Sequence, residues 1–272
     1  MLIEIPHGDT TIRAEDSGGK GRPILLLHGA LLSRESLVGL LPGLQAVRRC
    51  VIADLPGHGA SRYQGAIPDS ITVASLTRGI ERLLEHLGGG VDVIGESMGG
   101  VASLAIAAQR SPLIHSLTLM GVVPDAELSE HRQPYLALAD QLAAGGWTDD
   151  ILAVPRSIYL SVEAQADGHP DGPPARLRRI ISGNDPRNAA AVIRGSVARP
   201  DQSGSLAGIR CPTHVIIPEK DVILAPARQQ AMATAIPGSC TTIIPGAGHC
   251  AGLERPQAVV RAILGFPTTG AA

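Results

Sequence analysis

The run Val91-Asp92-Val93-Ile94 leads into Gly95-Glu96-Ser97-Met98-Gly99 and then into an Ala-rich amphipathic stretch. An apolar strand before and a helix after leave the five residues one job, a sharp turn with a serine at its apex. The flanking glycines let strand and helix approach closely, and the serine oxygen stands clear of the sheet edge. A serine hydroxyl is a poor nucleophile unless it is held out in this way and given a base. The same residues also suit an ordinary strand-to-helix turn in which Ser97 caps the helix. The rest of the chain decides between the two.

The segments Thr10 to Asp16, Ile24 to His28, Arg49 to Leu55, 91–95, Ile114 to Met120, 213–218 and 241–244 read as strands. Helices are expected over Ser33 to Ala46, Ser70 to Leu87, 97–110, 226–235 and 254–265. In the second of these, Val73, Leu76, Ile80, Leu83, Leu84 and Leu87 fall on one stripe, with Arg78, Glu81, Arg82 and Glu85 outside it. Strands alternating with helices imply an α/β fold with a mostly parallel, twisted sheet covered on both faces. Right-handed crossovers then bring the strand C-termini to one edge, where sites form.

Residues 124–205 break the alternation. They read as helices at about 129–144, 151–165, 174–182 and 186–198, with no strand between them. The expected organisation is a core domain of residues 1–123 and 206–272, with residues 124–205 inserted as a helical cap over the active edge.

A formal charge of −2 gives no electrostatic case for nucleic acid or an anionic membrane. Apolar runs such as Leu25-Leu26-Leu27 and Val215-Ile216-Ile217 are strand-sized, far below the roughly 20 residues of a membrane span. The first residues lack the basic start and long apolar run of a signal peptide. The expectation is a cytoplasmic protein acting on a small molecule, without nucleic acid or stable membrane association. The four cysteines are scattered without a Cys-x-x-Cys pair, which suits reduced thiols. Only five residues are Phe, Trp or Tyr, and three of them, Tyr135, Trp147 and Tyr159, fall in the inserted segment. These three, with Leu31 and Cys250, are the candidate pocket walls, and a pocket so poor in aromatics suits aliphatic or alicyclic acyl groups.

A serine nucleophile needs a base, and His249 in Pro245-Gly246-Ala247-Gly248-His249 follows the last strand on a glycine-rich loop. Its unperturbed pKa lets the neutral ring accept a proton and return it. His28 and His58 sit in turns near the same edge and read as structural; the remaining histidines lie in polar contexts or inside a strand. An acid is needed to fix the base's tautomer. Asp221, after strand 213–218, lies between serine and histidine in chain order; Glu219 and Asp125 are the alternatives. Two oxyanion donors are expected, the Met98 amide at the helix start and the Ala30 amide, with Leu31 as the second choice for the latter. The scattered histidines offer no metal-ligand spacing, and the chemistry requires neither metal nor cofactor.

Leu27-His28-Gly29-Ala30, Asp54-Leu55-Pro56-Gly57-His58-Gly59-Ala60-Ser61, Gly95-Glu96-Ser97-Met98-Gly99-Gly100 and Gly246-Ala247-Gly248-His249 occur in this order, with Leu253-Glu254-Arg255-Pro256 after them. Together they resemble the α/β-hydrolase superfamily, in its branch with a helical cap after the sixth strand, over residues 20–266 apart from the cap. The resemblance implies nucleophile Ser97, acid Asp221, base His249, oxyanion donors Ala30 and Met98, and structural roles for Asp54 and His58. Pro218 stands where the family often has Gly, which keeps Asp125 open as the acid. A serine nucleophile speaks against members that use a carboxylate. The expected function is hydrolysis of carboxylic esters, thioesters or lactones. Acyl transfer, cofactor-free C–C hydrolysis or lyase chemistry, haloperoxidase activity and a non-catalytic ligand-binding role are the alternatives.

Overall fold

The computed structural model describes residues 1–109 and 111–266. The helix end expected at Arg110 and the tail from residue 267 lie outside them. Eight strands, β1 (Leu2–His7), β2 (Thr10–Asp16), β3 (Ile24–Leu27), β4 (Cys50–Ala53), β5 (Val91–Glu96), β6 (Ile114–Met120), β7 (Thr213–Pro218) and β8 (Cys240–Ile244), form one sheet in the order β1-β2-β4-β3-β5-β6-β7-β8. β1 and β2 pair antiparallel, as do β2 and β4; from β4 to β8 every pairing is parallel. β5 lies between β3 and β6, with Gly95 opposite Leu27 on one side and Leu119 on the other.

The helices are α1 (Leu41–Gln45), α2 (Val73–His86), α3 (Met98–Gln109), α4 (Ser129–Gly145), α5 (Asp149–Tyr159), α6 (Val162–Gln165), α7 (Pro173–Ser182), α8 (Pro186–Val197), α9 (Pro226–Ala235), α10 (Ala251–Glu254) and α11 (Pro256–Gly265). Side chains alternate across the pleat, so each central strand feeds two cores. Leu25 and Leu27 join Leu76 of α2, Leu104 of α3 and Met232 of α9 on one face. Ile24 and Leu26 join Leu44 of α1 and Val259 of α11 on the other. Helix α2 shows what fixes such an element. A helix of this length is marginal alone in water. Thr72 caps it by accepting the Ser75 amide at 3.2 Å. The stripe of Val73, Leu76, Ile80, Leu83 and Leu84 is buried, contributing roughly 1.5–3 kcal/mol per large side chain.

Two local expectations fail, and one strand had no expectation. The helix expected over 33–46 is two 3-10 turns, Arg34–Ser36 and Val38–Leu40, before the short α1. This segment packs tightly on the C-terminal helix: a Cβ on Gly43 would stand 2.6 Å from Val260 Cγ1. Close approach there outweighs helical regularity. The helix expected over 151–165 breaks at Leu160, whose extended backbone ends α5, and Ser161 caps α6. Strand β1 was not foreseen; it is the antiparallel partner of β2 at the sheet edge.

Between β6 and β7 the chain forms α4 to α8 and no strand. These helices bury their own cluster, including Ala139, Leu142, Ile151 and Ile193, against Leu31 of the loop after β3. Among the described residues no helix is long and apolar enough to cross a membrane.

Candidate active site

Ser97 sits between β5 and α3 with φ +49°, a conformation that non-glycine residues rarely adopt. The packing around it over-determines this strain. A Cβ on Gly95 would stand 2.6 Å from Gly100 Cα, and one on Gly99 2.7 Å from the His28 carbonyl oxygen. The Ser97 amide donates to the Met120 carbonyl at 2.9 Å, and the Ser97 carbonyl accepts from Val101 at 2.9 Å. The backbone is thus pinned at both ends while the hydroxyl lines a cavity and makes no hydrogen bond to another described residue. Ser97 does not cap α3 with its side chain.

His249 follows β8 and lines the same cavity. Its Nδ1 lies 2.8 Å from Oδ2 of Asp221 within the protein interior. Asp221 is acceptor-only and well supplied: Oδ1 accepts the amides of Ile223 (3.0 Å) and Leu224 (2.9 Å), and Oδ2 accepts Gln229 Nε2 (3.0 Å). That pattern puts the imidazole proton on Nδ1 and leaves Nε2 as the free base. Burial by itself lowers the His249 pKa, but the Asp221 carboxylate and, beyond it, Glu96 reverse the sign and raise it above the usual histidine value. Asp125 is turned elsewhere, accepting Arg228 Nη2 at 2.7 Å and Ser203 Oγ at 3.3 Å. Glu219 accepts the Gly246 amide at 2.8 Å. Of the three carboxylates weighed, the structure brings Asp221 to His249.

The loop after β3 carries the next feature. Leu31 has φ +60°, and its amide donates to His58 Nε2 at 3.2 Å. The Ala30 and Met98 amides donate to no group among the described residues, while Gly99 donates to the His28 carbonyl. Two residues with free N–H groups, on two elements, therefore line the cavity beside Ser97, and the Leu31 amide is already taken. His28 and His58 contact each other edge-on at 4.9 Å. Burial holds both neutral, at about 4 and about 3.

Helices α4, α5 and α8 close the cavity from above, and its wall includes Leu31, Tyr135, Tyr159 and Ile193. Tyr159 donates its phenol to the Ala30 carbonyl at 3.0 Å, and its ring lies 5.6 Å from that of His249. Two expected wall residues are elsewhere. Trp147 donates its indole N–H to the Asn184 carbonyl at 2.8 Å and packs among the helices; a large ring with one polar edge is best buried where that edge finds an acceptor. Cys250 is fully buried among Leu32, Leu160 and Leu253, and burial pushes its thiol pKa well up.

Several residues of the site were not foreseen. Asn184 ties helix to core: Nδ2 donates to the Leu31 carbonyl at 2.9 Å and Oδ1 accepts the Gly59 amide at 2.8 Å. In Gly183-Asn184-Asp185-Pro186 it reads only as a turn before a capped helix. Glu254 accepts both the amide and hydroxyl of Ser161 and the amide of Gly248, joining α6 to the His249 loop. Glu127, Ser196 and Arg199 line the cavity, and lone polar residues in a helical segment carry no local signal of that. Among the described residues no group of three or more His, Cys, Asp or Glu is arranged to hold a metal.

A doubly covered, mostly parallel sheet with a strained serine and a buried Asp–His pair at the strand C-termini defines an α/β-hydrolase fold. Residues 24–262 match the alpha/beta hydrolase family, and the chain belongs to it. It is 28% identical to a thermophilic esterase from Thermogutta terrifontis, with a TM-score of 0.87 and 97% of each chain covered. It is 26% identical to a pimeloyl-[acyl-carrier protein] methyl ester esterase from Chromobacterium violaceum over 90% of this chain and 94% of that protein. It is also 26% identical to protein PHYLLO of Arabidopsis thaliana over 98% of this chain, which spans only 17% of that protein's length.

Proposed function

We propose that the chain is a serine hydrolase that cleaves carboxylic esters, thioesters or lactones of small molecules through an acyl-enzyme on Ser97. His249 Nε2 takes the Ser97 proton as Oγ attacks the carbonyl, and returns it to the leaving alcohol or thiol. Asp221 holds the imidazole in the required tautomer and stabilises its charged form. The Ala30 and Met98 amides receive the oxyanion. Water then enters, gives its proton to His249, attacks the acyl carbonyl and releases the acid. Helices α4 to α8 act as a cap that selects the acyl group.

The observation that carries this reading is the single cavity wall shared by Ser97, His249 and the two free amides. The esterases among its relatives support the ester class. Ser97 and His249 are not hydrogen-bonded to each other here; such contacts often tighten only when substrate is bound. The test is hydrolysis of short p-nitrophenyl esters by the wild type beside purified Ser97→Ala. Turnover by the wild type, with loss of about three orders of magnitude or more in the variant, is expected. Equal activity in both would remove Ser97 from the mechanism.

A further inference from the structure

The cavity holds a polar cluster that the reaction above does not use. Arg199, just beyond α8, donates Nε to the Asp125 carbonyl at 3.0 Å and Nη1 to Glu127 Oε2 at 2.5 Å. Its side chain is 8% exposed, and Nη2 donates to no described residue. Glu127 is shared, because Oε1 also takes His131 Nδ1 at 3.1 Å and the Leu128 amide at 3.3 Å. Two hydroxyls line the same cavity without a partner among the described residues, those of Tyr135 and Ser196. The three groups lie together: Arg199 Nη1 also reaches the Ser196 carbonyl at 3.4 Å, and the Tyr135 phenol feels the charges of both Glu127 and Arg199.

Arginine has donors only, and a phenol in a half-buried setting also seeks an acceptor. Arg199 Nη2 and the Tyr135 and Ser196 hydroxyls thus line a largely aliphatic cavity, each without a partner among the described residues. Resting on the hydrolase reading, in which this cavity takes the acyl group, we propose that the cluster recognises a second oxygen acceptor on the substrate, remote from the scissile carbonyl. The substrate class is an ester or thioester of an aliphatic acid that carries a further carbonyl or carboxylate oxygen, rather than a plain alkanoate. Charge does not restrict the acceptor to an anion, because Arg199 is paired with Glu127 and Arg228 with Asp125.

Binding to the Ser97→Ala protein tests this without requiring turnover. Ethyl alkanoates, matched ethyl oxoalkanoates and matched monoethyl alkanedioates of graded chain length are titrated by ligand-observed NMR. At a favoured length the oxo or carboxy ester should bind about tenfold tighter than its alkanoate. Arg199→Met should bring that ratio close to one. The double variant Tyr135→Phe/Ser196→Ala keeps the Arg199–Glu127 pair and carries the same test if Arg199→Met does not fold. A preference for either acceptor supports the proposal, and the better one identifies its source. Equal affinities at every length, or variants that weaken all three series alike, would overturn it. Preference without wild-type hydrolysis of any ester would remove the hydrolase reading and leave the recognition cluster standing.

Discussion

Leu31 gives its amide hydrogen to Nε2 of His58 across 3.2 Å, and in the proposed mechanism this bond leaves the Ala30 amide of the loop to receive the oxyanion. His58 in turn lies 3.1 Å, through Nδ1, from the Pro56 carbonyl, so the ring donates there and accepts from Leu31. Leu31 is held at φ +60°, and the Ala30 amide beside it stays free. Replacing His58 by Ala removes the acceptor and leaves the Leu31 amide competing for its own solution. We expect kcat to fall by about 10- to 100-fold, in line with the penalty for one misplaced buried donor, with KM changing less. Steady-state kinetics on the ester that the wild type prefers checks this; an unchanged kcat would separate His58 from the loop's function.

The same histidines make the fold acid-sensitive. His28 is held at about 4 and His58 at about 3, by burial first and, for His58, by its neighbour His28. Unfolded, each would take a proton near 6.5. The unfolded state therefore binds more protons below that value, and stability falls as pH drops from about 6.5 towards 4. Each ring contributes a slope of up to about 1.4 kcal/mol per pH unit. Urea midpoints across this range should decline with acid in the wild type and decline less steeply in His58→Gln. Parallel curves would mean that His58 is not a source of the acid sensitivity.

How much of this was legible follows from the range of the interactions. The serine turn was readable because its cause is local: Gly95, Ser97 and Gly99 solve a close approach within one strand–turn–helix unit. His249 was readable from its glycine-rich loop. The choice of Asp221 over Asp125 needed coordinates, because it depends on Arg228 and Ser203 drawing Asp125 away. The failed helix at 33–46 has the same origin, since Gly43 meets Val260 from the far end of the chain. Asn184 could not have been found: its partners at Leu31 and Gly59 lie more than a hundred residues away, and an Asn before Asp-Pro already has a local explanation as a turn.

The Asp221–His249 bond of 2.8 Å sets the third expectation. Asp221→Asn keeps the shape but offers His249 an amide, which favours the wrong tautomer and removes the charge that raises the ring's pKa. We expect kcat/KM to fall by about three to four orders of magnitude. The acid limb of its pH profile, which in the wild type should lie above the usual histidine value of 6.5, should move down. Asp125→Asn should stay within a few-fold of wild type, since it loses only the partly exposed pair with Arg228. A larger loss in Asp125→Asn than in Asp221→Asn would exchange their roles.

Glu96, beside the nucleophile, is fully buried, and its Oε2 has no partner among the described residues. Its Oε1 reaches only the Gly252 amide, at 3.4 Å. Burial first, with Asp221 and Glu254 adding repulsion, pushes its pKa up to about 7, and His249 opposes this. The folded protein therefore keeps a proton that the unfolded chain releases near the ordinary glutamate value of 4.5. By linkage, stability contributed by that protonated carboxyl is full below the unfolded value and is lost as pH rises towards about 7. Glutamine resembles the protonated acid and cannot ionise. Relative to wild type, Glu96→Gln should thus gain stability at pH above 7, by roughly 3 kcal/mol at most, and the gain should shrink towards the acid side. The acid limb of kcat/KM should also fall in the variant, because the Glu96 charge helps to raise the His249 pKa. Urea midpoints and rate profiles measured on both proteins across this range provide the check. A stability difference independent of pH would show that the carboxyl does not change its protonation on folding.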